Sequence, residues 1–338
     1  MHVVIVCMKV LLLGASGLLG HNVLQRLVAE GHQVVAVVRR AGSVCLEAAG
    51  WQTIVGDITD AAVVTAAAEG CDAVVNCAGV TDMSLLHRED YQAVNCDLCS
   101  TIVAAMNHHG IKRLVHVSTV NTIGYGNAER PAGEHEPMKP PFDKSLYADS
   151  KLRGETIIME AASLHPGWHA VVINPGYMIG PMDVKPSSGR MLLMGYRKRL
   201  MVAPKGGKSF VDVRDVAAAV VNALTMGRNG QRYIAVNSQG QFAISELYRL
   251  QASEMCYRQC VVAVPDVCLV VAGWVGDVLR LLGVRTELSS RNVRQLMIHE
   301  YYDNSLAVSE LKLYETPLRQ SIRDFYAWRG LSQIRKRI

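Results

Sequence analysis

The stretch VLLLGASGLLG, Val10 to Gly20, constrains the fold more than any other part of the chain. Four apolar residues run into Gly14, Gly17 and Gly20, and the pattern that follows puts Leu19, Val23, Leu24, Leu27 and Val28 on one helical face before Gly31 closes it. A glycine turn between strand and helix lets backbone N–H groups approach a pyrophosphate, packs helix on strand, and sets the positive helix end beside an anion. The segment therefore predicts a dinucleotide site made by Gly14, Ala15, Ser16, Gly17, Leu18, Leu19 and Gly20.

The same rhythm continues. HQVVAVVRR (32–40) is apolar almost throughout, as a strand covered on both faces must be. Further strands are expected at 52–57, 72–79, 112–119 and 169–176, with helices near 60–69, 89–109 and 147–164. Regular alternation implies right-handed crossovers and an α/β, Rossmann-type doubly wound parallel sheet that binds ligands at the carboxyl ends of its strands. Beyond 176 the rhythm loosens into a Gly-, Pro- and Met-rich excursion, returns with FVDVRDVAAAVVNALTMG and QRYIAVNS, and ends in helices and loops. The expected division is a Rossmann domain of residues 1–176 and 210–240 and a smaller, discontinuous C-terminal substrate domain of 177–209 and 241–338.

Composition narrows the partners. Half of the 338 residues are hydrophobic and 19% are charged, which suits a large core without long disordered segments. The net charge of +5 is mild, and the basic runs YRKRL (196–200) and RKRI are not interleaved with aromatics, so no nucleic-acid partner is expected. Nine cysteines include Cys96-x-x-Cys99 and the pair Cys256 and Cys260, but neither has the companions of a metal set. Free thiols in a reducing cytoplasm, and no metal, are the expectation. The apolar start MHVVIVCMKVLLLG is interrupted by Lys9 and lacks a cleavage site, so it reads as the first strand with an extension. The segment 260–283 is broken by Pro265, Asp266 and Asp277 and is too short to span a bilayer. Attachment to a membrane surface through it stays open.

The end of the second strand selects the dinucleotide. An acidic residue there would accept from ribose hydroxyls; this chain has Arg39 and Arg40, which suit a 2′-phosphate and so NADP, with NAD the alternative and solvated surface arginines the plain one. Asp57 either contacts the adenine or caps the next helix. Tyr147 and Lys151 in SLYADSKLRGE lie one turn apart on a helical face, a pairing that needs context before it means anything. His116, alternating with apolar residues, reads as a hydrogen-bonded core histidine, and Asp212, Arg214 and Asp215 as ion-pairing or capping residues.

Taken in order, GASGLLG (14–20), GDITD (56–60), NCAG (76–79), YQAVNCDLCSTIVAAM (91–106), VHVSTVNTIGYG (115–126), YADSK (147–151), INPGYMIGP (173–181) and FVDVRDVA (210–217) resemble the extended short-chain dehydrogenase/reductase, or NAD-dependent epimerase/dehydratase, superfamily. The match covers nearly the whole chain. The arginine after the second strand and the tail YYDNSLAVSELKLYETPLRQSIRDFYAW are similar to the dihydroflavonol-4-reductase and 3β-hydroxysteroid dehydrogenase branch.

This resemblance implies roles. Tyr147 would exchange a proton with the substrate oxygen, Lys151 would favour its phenolate and bind the nicotinamide ribose, and Thr119 or Ser118 would hydrogen-bond the same oxygen. Ile58 would join Asp57 near the adenine. Cys77, Ala78 and Gly79 would pass beneath the cofactor. Asn95 would tie neighbouring backbone together or stand exposed. Pro175 and Gly176 would border the nicotinamide, and Thr81, Met83, Tyr177 and Met178 would lead to the substrate. A homodimer through the helices 91–109 and 147–164 is implied.

The activity implied is NAD(P)-dependent oxidoreduction. The leading expectation is an NADPH-dependent reductase or dehydrogenase of a carbonyl or secondary alcohol on an apolar small molecule, with Met83, Met138, Met178, Met182, Met191 and Met194 as an adaptable wall. The alternative is a nucleotide-sugar epimerase or dehydratase with bound NAD, using Arg190, Arg197, Lys198 and Arg199 for a diphosphate. A binding module without catalysis would not need Tyr147, Lys151 and a hydroxyl together.

Overall fold

The structure, a computed structural model, describes residues 7–44 and 46–331; the first six residues, Cys45 and the RKRI run lie outside the described residues. The strands are β1 (Lys9–Leu13), β2 (Gln33–Val38), β3 (Trp51–Val55), β4 (Ala73–Asn76), β5 (Arg113–Val117), β6 (His169–Pro175), β7 (Tyr177–Ile179), β8 (Leu200–Ala203), β9 (Gly207–Asp212), β10 (Gln231–Ala235), β11 (Gln241–Ala243) and β12 (Cys260–Ala263). The helices are α1 (Leu18–Ala29), α2 (Ala61–Ala67), α3 (Glu89–Gln92), α4 (Leu98–His109), α5 (Leu146–Leu164), α6 (Gly189–Gly195), α7 (Val213–Asn222), α8 (Ile244–Glu254), α9 (Asp266–Leu281), α10 (Ser290–Arg294), α11 (Ser305–Leu311) and α12 (Leu318–Trp328). A π-helical turn, Ala93–Asp97, joins α3 to α4.

Seven strands form one parallel sheet in the order β10-β6-β5-β4-β1-β2-β3. Side chains alternate between its faces. Val10 and Leu12 enter a layer with α1 and α7, whereas Leu11 and Leu13 enter one with α2, α4 and α5. All four are fully buried, and burying each such side chain contributes about 1.5–3 kcal/mol, which is why these strands read as unbroken apolar runs. The chain reverses its winding direction between β1 and β4, and there the carboxyl ends of neighbouring strands open a crevice.

Smaller elements lie past β6. β9 pairs parallel with β7 and antiparallel with β11, while β8 pairs with β12. Ile179, Leu192, Phe210, Leu247, Ile322, Phe325 and Tyr326 build a second apolar cluster from the excursion and the C-terminal helices. The segment 305–313, on the C-terminal side of the expected division, instead packs Ala307, Leu311 and Leu313 into the main sheet's core. Among the described residues no helix is long and apolar enough to cross a membrane.

Candidate active site

The crevice starts at Gly14. Its φ is +85°, and a Cβ there would lie 2.6 Å from the Ala78 nitrogen, so β1 and β4 approach more closely than any side chain permits. Gly20 is equally confined, since its Cβ would sit 2.1 Å from the Gly14 carbonyl oxygen. Gly17 differs: it caps α1, is exposed, and a Cβ would meet only that carbonyl at 3.4 Å. Two glycines thus fold the turn, and the third leaves its lip bare. Ala15 and Leu19 are buried beneath the turn, Ser16 is exposed, and Leu18 is half-buried.

The floor opposite is set by a buried polar relay. Asn76 donates from Nδ2 to His116 Nδ1 at 3.2 Å and accepts from the Ala78 N–H at 3.1 Å, which shapes the Cys77–Ala78 turn against Gly14. Burial, then Lys151, hold the His116 imidazole well below its ordinary pKa, so it stays neutral as a core residue. Cys77 is half-buried and its thiol is pushed up to about 12 by burial, with Lys151 opposing. Arg39 and Arg40 follow β2, both exposed. Asp57 lies close enough to Arg39 to be acidified by it, although hydrogen bonds from Thr59 dominate that shift. Asp57 does not cap α2. Asp60 does, accepting from the Ala62 N–H at 2.9 Å, because the helix begins one turn later than Asp57 would require. Ile58 is half-buried against the α2 and α4 layer.

Ser145 caps α5 by accepting from the Ala148 N–H, so Tyr147 stands in the first turn and Lys151 one turn on. Tyr147 is half-buried, and burial raises its phenol to about 12; the neighbouring Thr119 side chain opposes that shift. Thr119 Oγ1 also accepts from the Asn121 N–H, which fixes its rotamer. Ser118 is equally buried, but its Oγ has no partner among the described residues. Lys151 is 3% exposed and donates to the Val117 carbonyl at 2.7 Å rather than reaching for Tyr147. Its ammonium lies 3.8 Å from where a Gly79 Cβ would be, so Gly79 leaves open the space above it.

Asn95 sits in the π-helical turn and is buried, not exposed. It accepts from the Val80 N–H at 2.8 Å and donates to the Val80 carbonyl and Ser150 Oγ, which pins the segment after β4 to α5. Gly154 lets the two helices touch, since a Cβ would lie 2.0 Å from the Asn95 carbonyl oxygen. Pro175 is buried, and Gly176 is demanded by packing, a Cβ meeting the Ser209 oxygen at 2.4 Å. Thr81 is exposed; Met83 and Tyr147 line one narrow crevice. Tyr177 turns its hydroxyl to the Ser188 carbonyl, and Met178 packs against the main core. Of the expected methionine wall, Met191 packs from α6 onto α8 and Met194 is 55% exposed. Asp212 caps α7 and pairs with Arg214, while Asp215 accepts from the Thr316 backbone and hydroxyl.

Two features escape sequence reasoning. Glu155, fully buried, pairs with Arg232 and accepts from Thr122 Oγ1 and Asn174 Nδ2 at 3.0 Å each, so it braces the loop after β5 that carries Thr119. Its place four residues after Lys151 on the same face was the available signal. Beside Tyr147, a cavity of about 890 Å³ opens between the loop before α5 and α9–α10, lined by Arg88, Lys144, Arg280, Arg291 and Arg294 among others. Arg280 is engaged by the carbonyls of Met83, Leu85 and Thr286, whereas burial and Arg280 together disfavour the charge of half-buried Arg291. None of Arg190, Arg197, Lys198 and Arg199 lines this cavity; Arg190 is held by Glu287. Among the described residues no group of three or more His, Cys, Asp or Glu side chains is arranged to hold a metal ion.

The model of the NAD dependent epimerase/dehydratase family matches residues 10–237. Over 330 residues the chain is 29% identical to a Synechocystis protein named "Putative dihydroflavonol 4-reductase", covering 93% of this chain and 92% of that one. It is 27% identical over 327 residues to sterol demethylase protein B of Methylococcus capsulatus, covering 95% and 98%. The solved structure of MoeE5 in complex with UDP-glucuronic acid and NAD shares the fold, with a TM-score of 0.76 at 18% identity over 96% of this chain and all of that one. With this match across two thirds of its length, the glycine crevice and the Tyr147–Lys151 helix in place, the chain belongs to the NAD-dependent epimerase/dehydratase family and is an NAD(P)-dependent short-chain oxidoreductase.

Proposed function

We propose that the protein is an NADPH-dependent reductase or dehydrogenase acting on a carbonyl or secondary alcohol of a small, largely apolar molecule. What supports this reading most is that Tyr147 lies beside Thr119 at the start of α5, with Lys151 one turn on and next to Gly79 at the end of β4. The residues fit a dinucleotide: the bare lip at Gly17 suits a pyrophosphate, the space over Gly79 and Lys151 suits a ribose, and Arg39 and Arg40 suit a 2′-phosphate. A nicotinamide held there would supply the hydride chemistry at the substrate carbon.

The chain's own groups handle the proton. Tyr147 gives its phenolic proton to the substrate oxygen in reduction and takes it back in oxidation. Thr119 donates a hydrogen bond to the same oxygen and limits the energy needed to ionise the phenol. Lys151, fixed by Val117, keeps further N–H bonds with which it would hold the ribose. Its charge acts as a background field on the site. Residues 177–209 and most of 241–331 form the substrate side in this reading, and a homodimer would form through α4 and α5.

NADPH oxidation across a panel of carbonyl compounds tests the proposal. Tyr147→Phe is expected to lower kcat by about 10²–10⁴ with NADPH affinity retained. Unchanged turnover in that variant would remove the catalytic assignment. NADPH is expected to bind more tightly than NADH, the gap closing in Arg39→Ala.

A second reading has one observation in its favour. The arginines of the cavity beside Tyr147, Arg291 above all, suit the diphosphate of a nucleotide sugar. NAD retained through purification, with no net NADPH consumption on carbonyl substrates, would select it.

A further inference from the structure

Helix α9 inverts the usual arrangement of a surface helix. Its buried residues are the two smallest, Gly273 and Gly276, and a Cβ on Gly276 would lie 2.0 Å from the Leu288 carbonyl oxygen. With its glycine face spent on that contact, the helix turns its large residues outward. Val267, Val271, Trp274, Val278, Leu281 and Leu282 recur at helical spacing along one exposed face, with Trp274 62% and Leu281 87% exposed. Sixteen residues make this face about 24 Å long. A run of this size on a globular surface marks a site of interaction.

The neighbouring elements say with what. β12 enters α9 after only Val264 and Pro265, and on the outer face of the β8–β12 pair Leu200, Val202 and Val262 are also about half exposed or more. Arg197, Lys198 and Arg199 run directly into β8, Arg258 precedes β12, and Arg285 follows α9. All five are exposed, and none is in an ion pair among the described residues. An apolar face with exposed cationic side chains next to it in the chain is complementary to an anionic bilayer, in which lipid tails cover the apolar residues and headgroups neutralise the charge. A second copy of the same face would instead bring cationic flank toward cationic flank.

We propose that α9 and the outer face of β8–β12 form a docking surface for an anionic phospholipid bilayer, with α9 lying in the plane of the interface. Its opposite edge contributes Asp277 and Arg280 to the cavity beside Tyr147, so docking places that cavity next to the membrane. An apolar substrate dissolved in lipid then reaches the site without crossing bulk water. The attachment itself does not depend on the reductase assignment.

Flotation of the full chain with vesicles of phosphatidylcholine, and of phosphatidylcholine mixed with phosphatidylglycerol, decides the matter. The unmodified protein is expected to float with the mixed vesicles, less so at high salt, and to show a blue shift of tryptophan emission. Trp274→Asp with Val278→Asp should lower the bound fraction at least tenfold. Both positions are more than half exposed, so the fold is expected to survive. A second variant, Lys198→Gln with Arg199→Gln, should weaken binding about fivefold for each charge removed. No binding to the mixed vesicles would overturn the proposal. So would binding that ignores both variants, or a dimer in light scattering that the Trp274→Asp variant converts to monomer without any lipid effect.

Discussion

Glycines three residues apart occur at two ends of this molecule and serve opposite ends. In the loop after β1, Gly14 and Gly20 let the backbone fold onto itself and onto β4, and Gly17 remains bare, so what is left uncovered is the polar start of α1. In α9, Gly273 and Gly276 press the helix against residues 288–293, and what is left facing outward is apolar. A glycine pair therefore announces close approach of backbone. What the approach is for depends on the atoms it leaves uncovered.

The loop packs directly on the main sheet, and its substitutions are expected to have the largest effects. In Gly20→Ala the new methyl meets backbone on a strand-to-helix turn with the sheet behind it, and no flexible side chain can yield. A loss of about 3 kcal/mol or more in urea unfolding is expected, together with loss of NADPH binding. A variant that kept normal stability would mean the turn is looser than its contacts imply.

The contact between α7 and the chain just before α12 has its own signature in pH. Asp215 on α7 accepts both hydrogen bonds of Thr316, and burial raises its carboxyl to about 6 in spite of them. The unfolded value is about 3.9. The folded state therefore holds this proton more tightly, so the group favours folding below about pH 4 and loses that favour as pH rises through about 6. The effect is about 2 kcal/mol once solvent screening is allowed for. Unfolding free energies measured near pH 4.5 and near pH 7 should differ less in Asp215→Asn than in the unmodified protein by that amount.

On the α9 side, Gly276→Ala brings a methyl against a carbonyl that belongs to a short connecting segment. That segment is a loop outside the main sheet, so a smaller loss of about 1–2 kcal/mol is expected, with NADPH affinity unchanged. A change in NADPH affinity would tie the helix to the dinucleotide crevice and dissolve the contrast.

How far these regions could be read from the sequence follows the range of their interactions. The main sheet was legible because strands buried on both faces must be apolar throughout, and α1 because its period is local. The glycine turn was legible because its contacts lie within seven residues, apart from β4. Asp57 and Asp60 share the same short motif, so which one caps α2 depended on where the helix begins. Glu155 was legible only as a face-mate of Lys151, four residues on; its partner Arg232 is distant in sequence and nothing near either residue announces the pairing. The arginines of the cavity come from residue 88 and from residues 280–294, a stretch that the sequence resolves only into helices and loops. In α9 the apolar run was visible, but its glycines, which decide that the apolar face stays outside, took their meaning from Leu288 and Ser290.

The smallest expected effect on stability discriminates most finely. Gly17→Ala adds a methyl whose nearest neighbour is 3.4 Å away, at a φ of −85° that alanine adopts freely, so only the weaker capping of α1 by alanine counts against it. That is about 0.5 kcal/mol. If the bare lip exists to admit a pyrophosphate, the same methyl occupies the approach and NADPH affinity falls by about tenfold while the fold is nearly untouched. Calorimetric titration with NADPH, set beside urea unfolding of the same variant, separates the two. Equal affinity in Gly17→Ala would assign all three glycines of the loop to packing, and the loop would then resemble α9 in purpose as well as in spacing.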